Sequence, residues 1–195
     1  SFDTERFTWE LNFFVQKYVA PVMKWDFSSS EATQFTKDIK AISETIAANS
    51  KYFVHRDFHS RNVMVKGEKL AVIDFQDARL GPAAYDFVSL CFDSYVPFTK
   101  DMRSLFMMDA LELVSTEVGK SAAQDVRDLW KPVLLQRQLK AVGSFGFLTI
   151  DKQRGDYLKY VVPALQTLEE QDVYDARWPF LSGELLQRMR QFLNK

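Results

Sequence analysis

No glycine precedes Gly67, and the 195-residue chain holds only seven. That excludes a glycine-rich, phosphate-cradling loop from everything ahead of Gly67. The single cysteine, Cys91, excludes an internal disulfide, and with only two histidines there is no Cys/His cluster spaced for zinc. Cys91 lies in the apolar run Phe87-Val88-Ser89-Leu90-Cys91-Phe92, where a buried, inert thiol is expected rather than a nucleophile. Neither charge sign dominates: the net charge is -1, so no basic surface argues for nucleic acid or anionic lipid. The longest weakly polar run, Ala141 to Ile150, is too short to span a bilayer and contains two glycines. The N-terminus carries no signal-peptide pattern, and a reducing, cytoplasmic setting is expected. No internal repeat or low-complexity linker divides the chain.

What is present is the composition of a soluble globular protein, 47% hydrophobic and 26% charged. Seventeen phenylalanines predict a large aromatic core. Residues 4–17 read as a helix, and Phe7, Leu11, Phe14 and Tyr18 recur at helical spacing along a face that Pro21 ends. Ser28-Ser29-Ser30-Glu31 offers N-caps to a second helix with Phe35, Ile39, Ile42 and Ile46 on its buried face. Tyr52-Phe53-Val54 reads as a strand and residues 55–62 as a loop. Strands at 63–65 and 70–73, joined across Lys66-Gly67-Glu68-Lys69, make a β-hairpin. Gly81-Pro82 marks a turn, 85–91 a buried helix, and 100–118, 121–150, 156–171 and 183–194 further helices. The expectation is an α+β chain, one mainly helical domain over residues 1–195 with one small hairpin.

The chemistry concentrates in Val54-His55-Arg56-Asp57-Phe58-His59-Ser60-Arg61-Asn62 and Ala71-Val72-Ile73-Asp74-Phe75-Gln76. An Asp, an Asn five positions on and a second Asp twelve further are the set that phosphoryl transfer needs. One carboxylate orients and deprotonates a hydroxyl, and two oxygen ligands hold Mg2+ on ATP. Asp57 is the candidate catalytic base; Asn62 and Asp74 are the candidate metal and nucleotide ligands. The antiparallel hairpin should bring Asn62 and Asp74 side by side. His59 either touches phosphate or fixes the loop. His55 and Arg56 read as structural supports. Asp86 is either a helix N-terminal residue or an acceptor bracing the loop, and the second fits better. Gln76 follows Asp74 where kinases place Gly. Asp77 and Arg79 are candidate substrate contacts, although a surface ion pair is the commoner outcome for such residues.

These residues resemble the aminoglycoside-phosphotransferase and choline-kinase superfamily of small-molecule kinases, which shares the protein-kinase-like fold. His55, Asp57 and Asn62 match its catalytic loop, Ile73-Asp74-Phe75 its metal-binding element, and Gly81, Tyr85, Asp86 and Phe87 its following segment. The resemblance implies Asp57 as base and Asn62 and Asp74 as magnesium ligands. Three stretches are similar to bacterial anomeric amino-sugar kinases: residues 55–62, Asp74-Phe75-Gln76-Asp77-Ala78 and residues 135–143. That likeness implies an acceptor such as N-acetylmuramate or N-acetylglucosamine. Arg137 and Lys140 are either contacts for an acidic acceptor or solvated charges, and the second is favoured. Asp86 follows Asp74 by only twelve positions, and no Ala-Pro-Glu follows Asp74. That leaves no room for a long activation segment and favours a small-molecule hydroxyl over a peptide.

The resemblance covers the chain only as a C-terminal lobe. A glycine-rich loop and a strand Lys paired to a helix Glu are expected in an N-terminal nucleotide-binding lobe, and nothing before Tyr52 supplies them. The expectation is a fragment that opens at Ser1 and is inactive alone, its missing lobe being its partner. The alternatives are an aminoglycoside or other small-alcohol kinase, a non-catalytic kinase-fold binding module, and a metal-dependent phosphohydrolase.

Overall fold

A computed structural model of the protein describes residues 2–96 and 98–194. The chain divides into two compact units, Ser1–Phe2 with Ile46–Leu134 and Asp3–Thr45 with Leu135–Lys195. Secondary structure is mostly helical with two small two-stranded sheets, an α+β composition.

The second unit begins with α1 (Thr4–Phe14), capped by Asp3, which accepts from the Arg6 amide. The helix widens into a π-helical turn, Val15–Val19, short of the expected end at Lys17. Phe7, Leu11, Phe14 and Tyr18 are all buried, as their spacing predicts. Next comes α2 (Ser29–Ala47). Its entry is a capping box: the Ser28 amide donates to Glu31 Oε2 at 2.7 Å and the Glu31 amide to Ser28 Oγ at 3.3 Å. Asp38 on α2 is fully buried. Its carboxylate accepts from Gln34 Nε2 and from the amides of Phe180 and Leu181. Those amides open a π-helical turn, Phe180–Glu184, so Asp38 satisfies donors that would otherwise be orphaned. The aromatic content gathers here: the Phe27 ring centroid lies within 5.5 Å of those of Trp25, Phe35 and Phe180, edge-on or tilted.

The first unit carries both sheets. β1 (Tyr52–Val54) pairs antiparallel with β4 (Arg79–Gly81), Tyr52 opposite Gly81. β2 (Val63–Lys66) and β3 (Lys69–Val72) form the hairpin, Val63 opposite Val72. Its turn is tighter than the four residues expected from sequence. Gly67, at φ +60°, carries the left-handed backbone that such a turn demands. α3 (Ala84–Cys91) and α4 (Lys100–Glu117) follow. Gly81 was expected to mark a turn with Pro82; it instead closes β4, which the sequence does not announce.

The long α5 (Lys120–Gly146) contributes to both units and contains Pro132. It ends in a π-helical turn, Phe147–Asp151, and α6 (Val161–Glu170) and α7 (Leu185–Leu193) complete the second unit. Within that unit α5 runs against the end of α1. A Cβ on Gly143 would lie 2.7 Å from Phe14 Cα, and one on Gly146 2.0 Å from the Lys17 carbonyl oxygen. Only glycine permits two backbones to approach this closely.

Candidate active site

The candidate residues from His55 to Asp86 all belong to the first unit. β1 delivers the chain into the loop, and the loop is pinned at its entrance. Asp86, in the first turn of α3, accepts from the His55 amide on Oδ2 at 2.6 Å and from the Arg56 amide on Oδ1 at 2.9 Å. One carboxylate thus fixes two consecutive peptide groups, and charge-assisted bonds of this kind are the stronger ones. His55 Nε2 lies 2.9 Å from the Ile73 carbonyl, tying the loop entrance to the residue before Asp74.

Arg56 is buried, 3% exposed, with φ +77°. Its guanidinium lies 4.7 Å over the Phe2 ring and donates through Nη1 to the Asp77 carbonyl at 3.3 Å. The residue before Asp57 is therefore held in a sparsely populated backbone state by contacts on both sides. Asp57 itself is half-buried. Its carbonyl accepts from the His59 amide at 3.0 Å and from Asn62 Nδ2 at 2.9 Å. Asn62 sits at the end of a tight 3₁₀ turn, Ser60–Asn62. Its amide nitrogen is spent on the loop, which leaves Oδ1 as the ligand-type atom.

The hairpin register does what antiparallel pairing predicts. The Ile73 amide donates to the Asn62 carbonyl at 3.0 Å, extending the ladder one step past Val63 and Val72. Asn62 and Asp74 therefore stand at the same end of the hairpin. Asp74 is exposed and adopts φ +69°, a left-handed state that Asp tolerates better than most residues. Gln76 Nε2 donates to Asp74 Oδ1 at 2.6 Å. Asp77 and Arg79 form a loose pair, Nη2 to Oδ1 3.7 Å. His59 presents its ring to Tyr95, centroids 5.6 Å apart.

Arg137 and Lys140 are half-buried on α5 in the other unit. A cavity of about 380 Å³ in the first unit is lined by apolar side chains including Phe53, Phe58, Val72 and Val114. It includes neither Asp57, Asn62 nor Asp74; Tyr52, His55 and Asp86 are the polar residues of its lining. Among the described residues no cluster of three or more His, Cys, Asp or Glu side chains is poised to hold a metal, so any cation here relies on the Asn-plus-Asp pair. No helix among them is long and apolar enough to cross a membrane.

Asp93 went unnoticed in the sequence. It lies two residues past α3, buried at 5% exposure, and Oδ2 accepts from the Ser60 amide at 2.9 Å. The one available signal was a carboxylate directly following the apolar run that ends at Phe92.

Comparison with known proteins gives the chain's family and relatives. The Phosphotransferase enzyme family profile matches residues 2–116. An N-acetylmuramate/N-acetylglucosamine kinase of Neisseria meningitidis is 29% identical over 154 residues, covering 75% of this chain and 45% of that protein. A protein of the same name from Pseudomonas aeruginosa is 27% identical over 187 residues, 93% of this chain and 54% of its own length. One from Pseudomonas putida is 30% identical over 96 residues, 49% of this chain and 28% of its own. The chain thus spans about half the length of the curated relatives it matches most extensively.

Proposed function

The chain belongs to the phosphotransferase enzyme family, and from that premise we propose that it is the C-terminal, catalytic lobe of a kinase-like fold that phosphorylates a small-molecule hydroxyl. The observation that supports this is the placement of three residues. Asn62 is bonded through Nδ2 to the Asp57 carbonyl and stands with Asp74 at one end of the hairpin. In this arrangement Asp57 would orient the acceptor hydroxyl and take its proton as the new O–P bond forms and the bond from phosphorus to the departing ADP oxygen breaks. Asp86 and His55 hold the loop entrance, so that Asp57 need not reorganise during the reaction.

The residues fit Mg2+ with ATP as cofactors. Asn62 Oδ1 and the Asp74 carboxylate are hard oxygen ligands of the type magnesium takes, and Asp74 is accessible. Bound there, the ion and nucleotide would supply the phosphoryl group and neutralise its charge. The names of the relatives point to N-acetylmuramate or N-acetylglucosamine as acceptor. An N-terminal lobe completing the nucleotide site is part of the proposal. A row of exposed apolar residues supports it: Phe53 is 75% and Phe75 66% exposed, with Val65, Leu70 and Ile73 also open to solvent.

The test uses the full-length protein. Asp57→Ala should abolish phosphoryl transfer and leave the thermal unfolding transition in place; retained turnover ends the proposal. A screen of amino sugars, aminoglycosides and choline with ATP identifies the acceptor class. Preference for an aminoglycoside would replace the amino-sugar assignment while keeping the chemistry. The 195-residue chain alone should bind ATP weakly and turn over little, and activity matching the full-length form refutes the need for a second lobe.

A further inference from the structure

Asp93 belongs to no motif that the chemistry above uses, yet it is the one buried carboxylate among the described residues of the first unit. It follows the C-terminus of α3, where the helix dipole disfavours negative charge. Something must offset that placement. Two backbone donors do: the Ser60 amide reaches Oδ2 at 2.9 Å and the Tyr95 amide reaches Oδ1 at 2.8 Å. Ser60 opens the turn Ser60–Asn62, so the first of these bonds fixes the start of the turn that presents Asn62.

The neighbouring contacts reinforce the same docking. The His59 ring meets the Tyr95 ring edge-on at 5.6 Å, and the Arg61 guanidinium lies 3.7 Å over the Tyr95 face. Three consecutive loop residues, 59 to 61, thus rest on the segment from Asp93 to Tyr95. Asp86 holds the loop at residues 55 and 56, ahead of Asp57; Asp93 holds it at residue 60, behind Asp57. We infer that Asp93 is a second positioning residue of the catalytic loop. Its carboxylate sets the Ser60–Asn62 turn, and through it the placement of the Asn62 amide oxygen as a cation ligand, a role that presupposes the phosphotransferase activity proposed above.

The experiment compares Asp93→Ala, Asp93→Asn and Ser60→Pro in the full-length protein. Proline suits position 60, because His59 is extended (φ -135°, ψ 169°) and the first residue of a helical turn needs no N–H within it. It deletes the donor while leaving Asp93 in place. Asp93→Ala should lower kcat about tenfold or more and raise the Mg2+ concentration for half-maximal rate, with the acceptor KM little changed. Asp93→Asn retains a single acceptor oxygen and should fall between. Ser60→Pro should shift the Mg2+ dependence in the same direction, and the Asp93→Asn/Ser60→Pro double variant should add little. Amide exchange at Ser60, measured in the Asp93 variants, should accelerate about tenfold or more.

An unchanged Mg2+ dependence and kcat in Asp93→Asn, with only a lowered melting temperature, overturns the inference. So does unaltered Ser60 exchange. If Asp93→Ala fails to fold, Asp93→Asn and Ser60→Pro decide. If the full-length protein phosphorylates no acceptor, the proposed activity falls, and Ser60 exchange still decides whether Asp93 holds the turn.

Discussion

Asp86 anchors two adjacent peptide groups with one carboxylate, so replacing it leaves two loop amides unpaired at once. Asp86→Ala should destabilise the first unit by about 2–4 kcal/mol, taking about 1–2 kcal/mol for each part-buried donor. Denaturant titration checks this. Cys91 is silent by contrast: burial pushes its thiol up to about 11. Native protein at pH 8 should resist alkylation at Cys91, and denatured protein should react at the rate of an ordinary thiol. In the second unit, hydrogen bonds from Arg177 hold the Asp175 carboxyl below its usual range. A depressed pKa contributes stability above the unfolded-state value, and that contribution disappears as pH falls through the folded one. Asp175→Asn should therefore lower the melting temperature at pH 7 and make little difference well below pH 3.8, the ordinary value. A melting series across that range tests the sign.

At the scale of elements, the closest backbone approach lies where α5 meets the end of α1. Gly146→Ala would drive a methyl against the Lys17 carbonyl, and Gly143→Ala one against Phe14 Cα. Each should cost about 1–3 kcal/mol, with Gly146→Ala the worse; urea unfolding of the two variants gives the order. The sequence shows the amphipathic faces of α1 and α2 and the hairpin because each is a local pattern. It does not show β4, a three-residue strand whose partner lies twenty-five residues upstream and whose own residues include Arg79. Nor does it show that α1 and α5 end in π-helical turns, which follow from packing rather than propensity. Asp57, Asn62 and Asp74 stand out in the sequence because the proposed chemistry fixes their spacing. Asp93 does not, because its partner is a backbone amide that any residue at position 60 except proline would supply.

For the whole molecule, the decisive fact is proportion: relatives named as sugar kinases are about twice as long as this chain. The open apolar side chains of β2 and β3 predict that the 195-residue chain alone self-associates. Val65→Lys with Leu70→Glu should shift it toward monomer in sedimentation, whereas the same pair in the full-length protein should impair nucleotide binding. Asp74 carries a different consequence. Its left-handed backbone would suit glycine better than any carboxylate. Asp74→Gly should thus relax the backbone and raise the melting temperature and, on the role proposed for Asp74, remove the cation ligand at the end of the hairpin. On that reading, position 74 trades durability for usefulness.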